Sequence, residues 1–216
     1  MAEIERALRK PTENLAAYDL VLRGRWAYEP ETETLLEESA GLLRSAIALD
    51  PNYALAYALL ARTLWVIAAN HWTQPTEHEF AEYVSLAKSA VQLGRADPEA
   101  LCIAAYIIAI PGGEMAEGIA IADRSLAQNP NSAEALAISG ILHAYSGDTE
   151  AARHRLEQAN RLSPLHVRVP FRAGGFLIAC FVDGDYAGVV DWTTRALQEQ
   201  PNAAPLLRYQ AAALGL

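Results

Sequence analysis

The chain has 216 residues, 52% of them hydrophobic and 20% charged, a composition that supports a buried core and excludes intrinsic disorder. Its formal charge of −9 disfavours nucleic-acid backbones and anionic membranes as partners. Cys102 and Cys180 stand far apart without CxxC spacing, which argues against a disulfide framework.

Two apolar runs, 101–111 and 174–182, fall well short of the roughly 20 residues that a membrane-spanning helix needs. The start, Met1-Ala-Glu-Ile-Glu-Arg, is charged and has no apolar core, so it does not read as a signal peptide. The expectation is a soluble, cytoplasmic protein. Alanine and leucine dominate, so helix propensity is high nearly everywhere.

Residues 1–12 are a charged lead-in ending at Pro11-Thr12, with Thr12 as a candidate cap for a helix over about 13–28. Leu15, Tyr18, Val21 (or Leu22) and Trp26 give that helix its apolar period. The acidic stretch 29–38, containing Pro30, reads as a long loop before a second helix over 35–49, which stops at Asp50-Pro51. A third helix runs to about Ala69, an interruption follows at 70–77, and a fourth covers 79–93. Tyr83 falls where a small side chain is expected, which predicts looser packing there.

Gly94-Arg-Ala-Asp-Pro98 leads into a helix ending near Ala109, the turn Pro111-Gly-Gly113 and a helix to about Gln128. From Pro130 the pattern is most regular: Gly140, the turn Gly147-Asp148, Ala152, Ala159 and Pro164, with 164 − 130 = 34 residues between the prolines. Small residues let two helices approach closely, and the proline cannot continue the hydrogen-bond ladder. A further pair turns at Gly184-Asp-Tyr186 and stops at Pro201, after a connector, 163–170, about three residues longer than regular. A last Ala/Leu-rich helix occupies 202–216; a repeat array usually closes with a polar helix, so the chain reads as a piece of a longer protein.

With Ala133 as position 1, the small residues and proline fall at positions 8, 20, 27 and 32, and the stretch resembles a tetratricopeptide repeat. The resemblance extends over 13–216, as repeats at 13–51, 52–97, 98–130, 131–164 and 165–201 and a partial one at 202–216. It implies an all-α fold: a right-handed superhelical solenoid of antiparallel helix pairs, about five repeats plus a final helix, forming one domain. More narrowly, Lys10–Gly24, Ala48-Leu-Asp-Pro-Asn-Tyr53 and Leu162-Ser-Pro-Leu165 are similar to the C-terminal repeat regions of bacterial multidomain regulators. Those carry a class III nucleotide cyclase or a winged-helix domain upstream. That likeness implies a regulatory arm.

The family's first helices line a concave groove, which here implies Tyr18, Arg25, Tyr28, Arg62, Trp65, Tyr106, Ile141, Tyr145, Phe171, Ile178 and Phe181 as a binding surface. Such an apolar and aromatic groove suits a peptide or protein segment, with Arg25 and Arg62 gripping a carboxylate. The same groove could instead be filled by the chain's own N-terminus, a neighbouring domain or a second copy. The arginines could instead pair with the glutamates of 29–38. A small-molecule or signalling-peptide sensor and a self-association module are the alternative functions.

Nothing points to catalysis or a cofactor. Cys180 lies in the apolar run Phe176-Leu-Ile-Ala-Cys-Phe-Val182, which raises a thiol's pKa and leaves it inert. No nucleophile elbow, Walker loop or dinucleotide fingerprint is present. His71 and His78, near Glu77 and Glu79, fit no zinc spacing, so no metal is expected. His143 is expected in the core; His154 and His166 are expected on the surface.

Overall fold

The computed structural model describes residues 12–29, 32–70, 76–163, 169–199 and 204–215. Among them are eleven helices and no strand: α1 Leu15–Tyr28, α2 Glu33–Leu49, α3 Ala54–Asn70, α4 Glu77–Leu93, α5 Pro98–Ala109, α6 Met115–Gln128, α7 Ala133–Ser146, α8 Thr149–Leu162, α9 Val169–Val182, α10 Tyr186–Glu199 and α11 Ala204–Leu214. The chain forms two compact units, residues 1–113 and 114–216, which divide at the Pro111–Gly113 turn.

In the first unit α1 pairs with α2 and α3 with α4, while α3 also packs on α2, and α5 packs on α3 and α4. The second unit repeats this logic. There α7 pairs with α8 and α9 with α10, α7 packs on α6, α9 on α7 and α8, and α11 on α10. Thus α2, α4, α8 and α10 are each shared between their own partner and the next first helix.

Small residues make the close approaches. A Cβ on Gly24 would stand 3.1 Å from Leu43 Cγ, and one on Gly140 would stand 2.7 Å from Leu156 Cγ. Ala46, Ala61, Ala90, Ser125, Ala152, Ala159 and Ala196 are all buried at the positions the repeat pattern reserves for them. Of the Gly174-Gly175 pair in α9, only Gly175 is tight. Its Cβ would meet Ile141 and Leu156 side chains at 2.9 Å, whereas Gly174 has open space. Gly147 caps α7 with φ +90°, and Gly113 and Gly184 turn at φ +73°.

Several boundaries differ from the sequence reading, each for a local reason. Asn14, not Thr12, caps α1, its side chain accepting from the Ala16 and Ala17 N–H groups. Thr12 accepts from the Asn14 N–H and donates its hydroxyl to the Asp50 carboxylate. Glu33 begins α2, so most of the acidic stretch is helical and not a long loop. A Thr76/Glu79 capping box starts α4 at Glu77, two residues earlier than expected. Pro170 lies inside the first turn of α9, where its missing N–H removes no helical bond.

The packing at Tyr83 is also unlike the expectation. The ring is buried, edge-on to Trp65 at 5.8 Å and to Phe80 at 5.4 Å between centroids. An aromatic trio fills the space that a small residue would have closed.

Polar pins tie the helices together. Ser39 of α2 donates to the Gly24 carbonyl of α1 at 2.8 Å. From α8, Arg155 reaches Asp123 of α6 at 2.9 Å and Ser139 of α7 at 2.6 Å. Arg153 and Thr149 both donate to the Asp183 carboxylate, each at 2.8 Å, closing the turn after α9 onto α8.

Candidate functional site

The residues singled out in the sequence fall into two groups, one in each unit. In the first unit, α1, α3 and α5 carry Tyr18, Arg25, Tyr28, Arg62, Trp65 and Tyr106. Arg25 forms an ion pair with Glu99 at the start of α5. Both side chains keep about a third of their surface, 36% and 35%, so the pair lies at a wet edge.

Around that pair, partly buried polar groups feel both desolvation and the neighbouring charges. Asp97 caps α5 by accepting from the Glu99 and Ala100 N–H groups. Burial pushes its carboxyl above the ordinary range, and the two N–H bonds and Arg25 pull it back. Burial also pushes the Tyr53 phenol up, helped by Asp97, while Arg25 opposes the rise. Tyr18 is exposed beside them.

Arg62 has a different task from its repeat counterpart. Its guanidinium carbon stands 4.4 Å above the centroid of the buried Tyr28 ring, a cation–π stack that joins α3 to α1. Trp65 is half-buried against Tyr83, and Tyr106 is half-buried on α5. The two arginines are therefore built into the protein's own contacts, one on a carboxylate and one on a ring.

In the second unit the exposed Tyr145 of α7 meets Tyr209 of α11, their hydroxyls 3.2 Å apart. Phe181 of α9 stands edge-on to Tyr209 at 6.1 Å and to Tyr186 at 5.7 Å. Three first-type helices thus share one aromatic cluster. Ile141 and Ile178 are buried in the packing and have little surface to offer a partner. Phe171 lies outside the described side chains. The sequence reading did not place Tyr209 or Tyr186 with Phe181; each lies on a different helix, so no local spacing joins them.

The remaining sequence candidates are placed as follows. Cys180 is buried, and burial pushes its thiol up, while Arg153, donating to the sulfur at 3.7 Å, moderates the rise. His143 is mostly buried with Nδ1 3.5 Å from the Asp148 carboxylate; His154 and His78 are exposed, and His71 and His166 lie outside the described residues. Among the described residues no group of three or more His, Cys, Asp or Glu is placed to hold a metal. No described helix is long and apolar enough to cross a membrane.

These helix pairs, with a small-residue seam within each and a shared second helix between neighbours, define a tetratricopeptide-type helical repeat. The chain is similar to the thermophilic TPR protein TTC0263 of Thermus thermophilus: 17% identity and TM-score 0.65, over 93% of this chain and 100% of that one. It is similar also to PilW, a widely conserved type IV pilus biogenesis factor, at 15% identity and TM-score 0.53, over 92% of each chain. A tetratricopeptide repeat protein from Parabacteroides merdae matches at 18% identity and TM-score 0.51, over 93% of this chain and 73% of that one. No protein-family model and no curated protein matches the chain. The fold is that of the tetratricopeptide repeat.

Proposed function

We propose that this chain is a protein–protein interaction scaffold, and that the face made by the first-type helices holds a peptide or protein segment. The observation that carries the reading is the aromatic cluster of Tyr145, Phe181 and Tyr209, which three such helices build at a partly exposed surface. Rings of this kind anchor partners with a large contact area at low entropic cost. The exposed Tyr18 beside the Arg25–Glu99 pair supplies a second patch, with polarity to fix register. In this reading residues 13–216 work as one repeat module. The likeness of 10–24, 48–53 and 162–165 to repeat regions of bacterial regulators supports its use as a regulatory or sensory arm of a larger signalling protein.

A displayed random-peptide library tests this. The reading predicts enriched peptides whose binding falls at least about tenfold (~1.4 kcal/mol) in Tyr145→Ala or Tyr209→Ala, each a hot-spot-sized loss. Enriched peptides that bind both variants as they bind the parent would place recognition elsewhere.

A further inference from the structure

The aromatic cluster of the second unit sits at one edge of its helices, and that edge has a sign. Tyr145 lies in the last turn of α7 and Phe181 in the last turn of α9. The Thr149–Asp183 hydrogen bond of 2.8 Å sets the turn after α7 beside the turn after α9. Two helices therefore end together at the rings, and each C-terminus carries the negative pole of its backbone dipole. The last turn of α9 holds no basic residue, and that of α7 holds His143. Side chains add to the sign. Asp148, Glu150, Asp183 and Asp185 stand in these two turns or in the first turn of α8, and all four are exposed. Arg153 meets Asp183 and His143 stands near Asp148, while among the described residues Glu150 and Asp185 have no ion pair. Arg208 neighbours Tyr209, but it stands about 100° from it around α11 and has a contact of its own. The edge is both aromatic and net negative.

We infer that the segment held on the Tyr145–Phe181–Tyr209 cluster is basic, and that it lays an arginine or lysine across the rings with its charged end toward Asp148 and Asp185. This rests on the reading of the cluster as a docking surface and adds the chemistry of what docks. Three features select a cation over an acidic or a purely apolar residue. Ring faces attract cations through their quadrupole. A long basic side chain covers apolar ring surface with its aliphatic stem and keeps its head in water. The two helix ends and the carboxylates attract that head and repel an acidic one. The carboxylates are also fixed before a partner arrives. Asp148 accepts from the Ala151 N–H at 3.1 Å, and Asp185 accepts from the Gly188 N–H at 2.9 Å. Little ordering is left for binding to supply at either group. The formal charge of −9 acts in the same direction, steering basic segments towards the protein.

The test uses two displayed peptide libraries with the same apolar positions, one carrying Arg and Lys and the other Asp and Glu at the charged ones. Selection on the full chain is expected to enrich peptides from the basic library alone, and their binding is expected to fall in Tyr145→Ala and Tyr209→Ala. The same peptides should bind about tenfold less tightly to Asp148→Asn/Asp185→Asn, the scale of one lost contact to a charged group. That variant removes the charges and keeps the fold, because asparagine caps a helix as well as aspartate does. On the parent protein, glutamine in place of the peptide's basic residue should cost about as much, a readout that no folding defect can produce. Tyrosine-dependent peptides from the acidic library overturn the inference and leave the docking surface standing. So do basic peptides indifferent to the Asn pair or to their own glutamine replacement. If neither library yields a tyrosine-dependent peptide, the docking surface is overturned and this inference with it.

Discussion

Adjacent glycines in α9 carry opposite expectations. Gly175→Ala places a methyl group 2.9 Å from Ile141 and both Leu156 methyls, a three-sided clash within the core. It should destabilise the protein by about 1–3 kcal/mol. Gly174→Ala meets nothing within 4 Å and sits inside a helix. It should stabilise by up to ~1 kcal/mol, because alanine is the better helix former. Thermal unfolding of the two variants beside the parent reads the sign directly. Equal effects at the two positions would mean that the α7–α8–α9 packing is not as described. In the sequence the two glycines were indistinguishable, since both lie in one apolar run, and only the neighbouring helices decide which is squeezed.

The Asp183 carboxylate offers a second residue-scale test. Hydrogen bonds from Arg153 and Thr149 hold it below the ordinary carboxylate range. A depressed folded-state pKa contributes stability that is present above the unfolded value, roughly 3.9, and is lost as pH falls through the folded value. The melting temperature of the parent should therefore exceed that of Asp183→Asn at pH 6. The gap should close as pH falls below the ordinary carboxylate range. A gap that is constant with pH would show that the Arg153 contact contributes no charge-dependent stability.

At the scale of elements, caps decide where helices begin. Asn14 accepts from two N–H groups of α1 and donates from its amide nitrogen to the Leu49 carbonyl at 3.0 Å, fastening the start of α1 to the end of α2. Asn14→Ala should cost about 1–2 kcal/mol, measured as a lowered midpoint in urea. Helix existence, the small-residue seams and most boundaries were legible in the sequence, because prolines, turn glycines and alanine positions are local signals. Boundaries set by capping were less so. Thr12 and Asn14 are both good caps by type, and only the competing bond to Asp50 shows why Asn14 takes the role. Tyr83 shows the same limit: a misfit to the pattern reads as loose packing until Trp65 and Phe80 are seen to close around it.

Across the molecule, the site was less legible than the fold. The repeat register brought Tyr145 and Phe181 to first-type helices, where both join Tyr209. It did not show that Arg25 would be held by Glu99, seventy-four residues on in the chain, or that Arg62 would lie on Tyr28. Side-chain pairing between repeats depends on distances that no single repeat encodes. In the proposed reading this moves the emphasis from a charge clamp towards aromatic anchors. Charge reversal at Arg25 would set two carboxylate-bearing residues side by side, so it probes the protein's own ion pair as much as any partner.

The central claim is that partners engage the first-type helices and not the outer second-type ones. Site-specific photocrosslinking tests it most directly, with a photoreactive amino acid placed in turn at Tyr18 and Tyr145 on first-type helices and at Gly41 on α2, which is exposed with open space around it. With a bound peptide selected from the library, adducts are predicted at Tyr145 or Tyr18 and none at Gly41. Adducts at Gly41 with none at the two tyrosines would contradict the account.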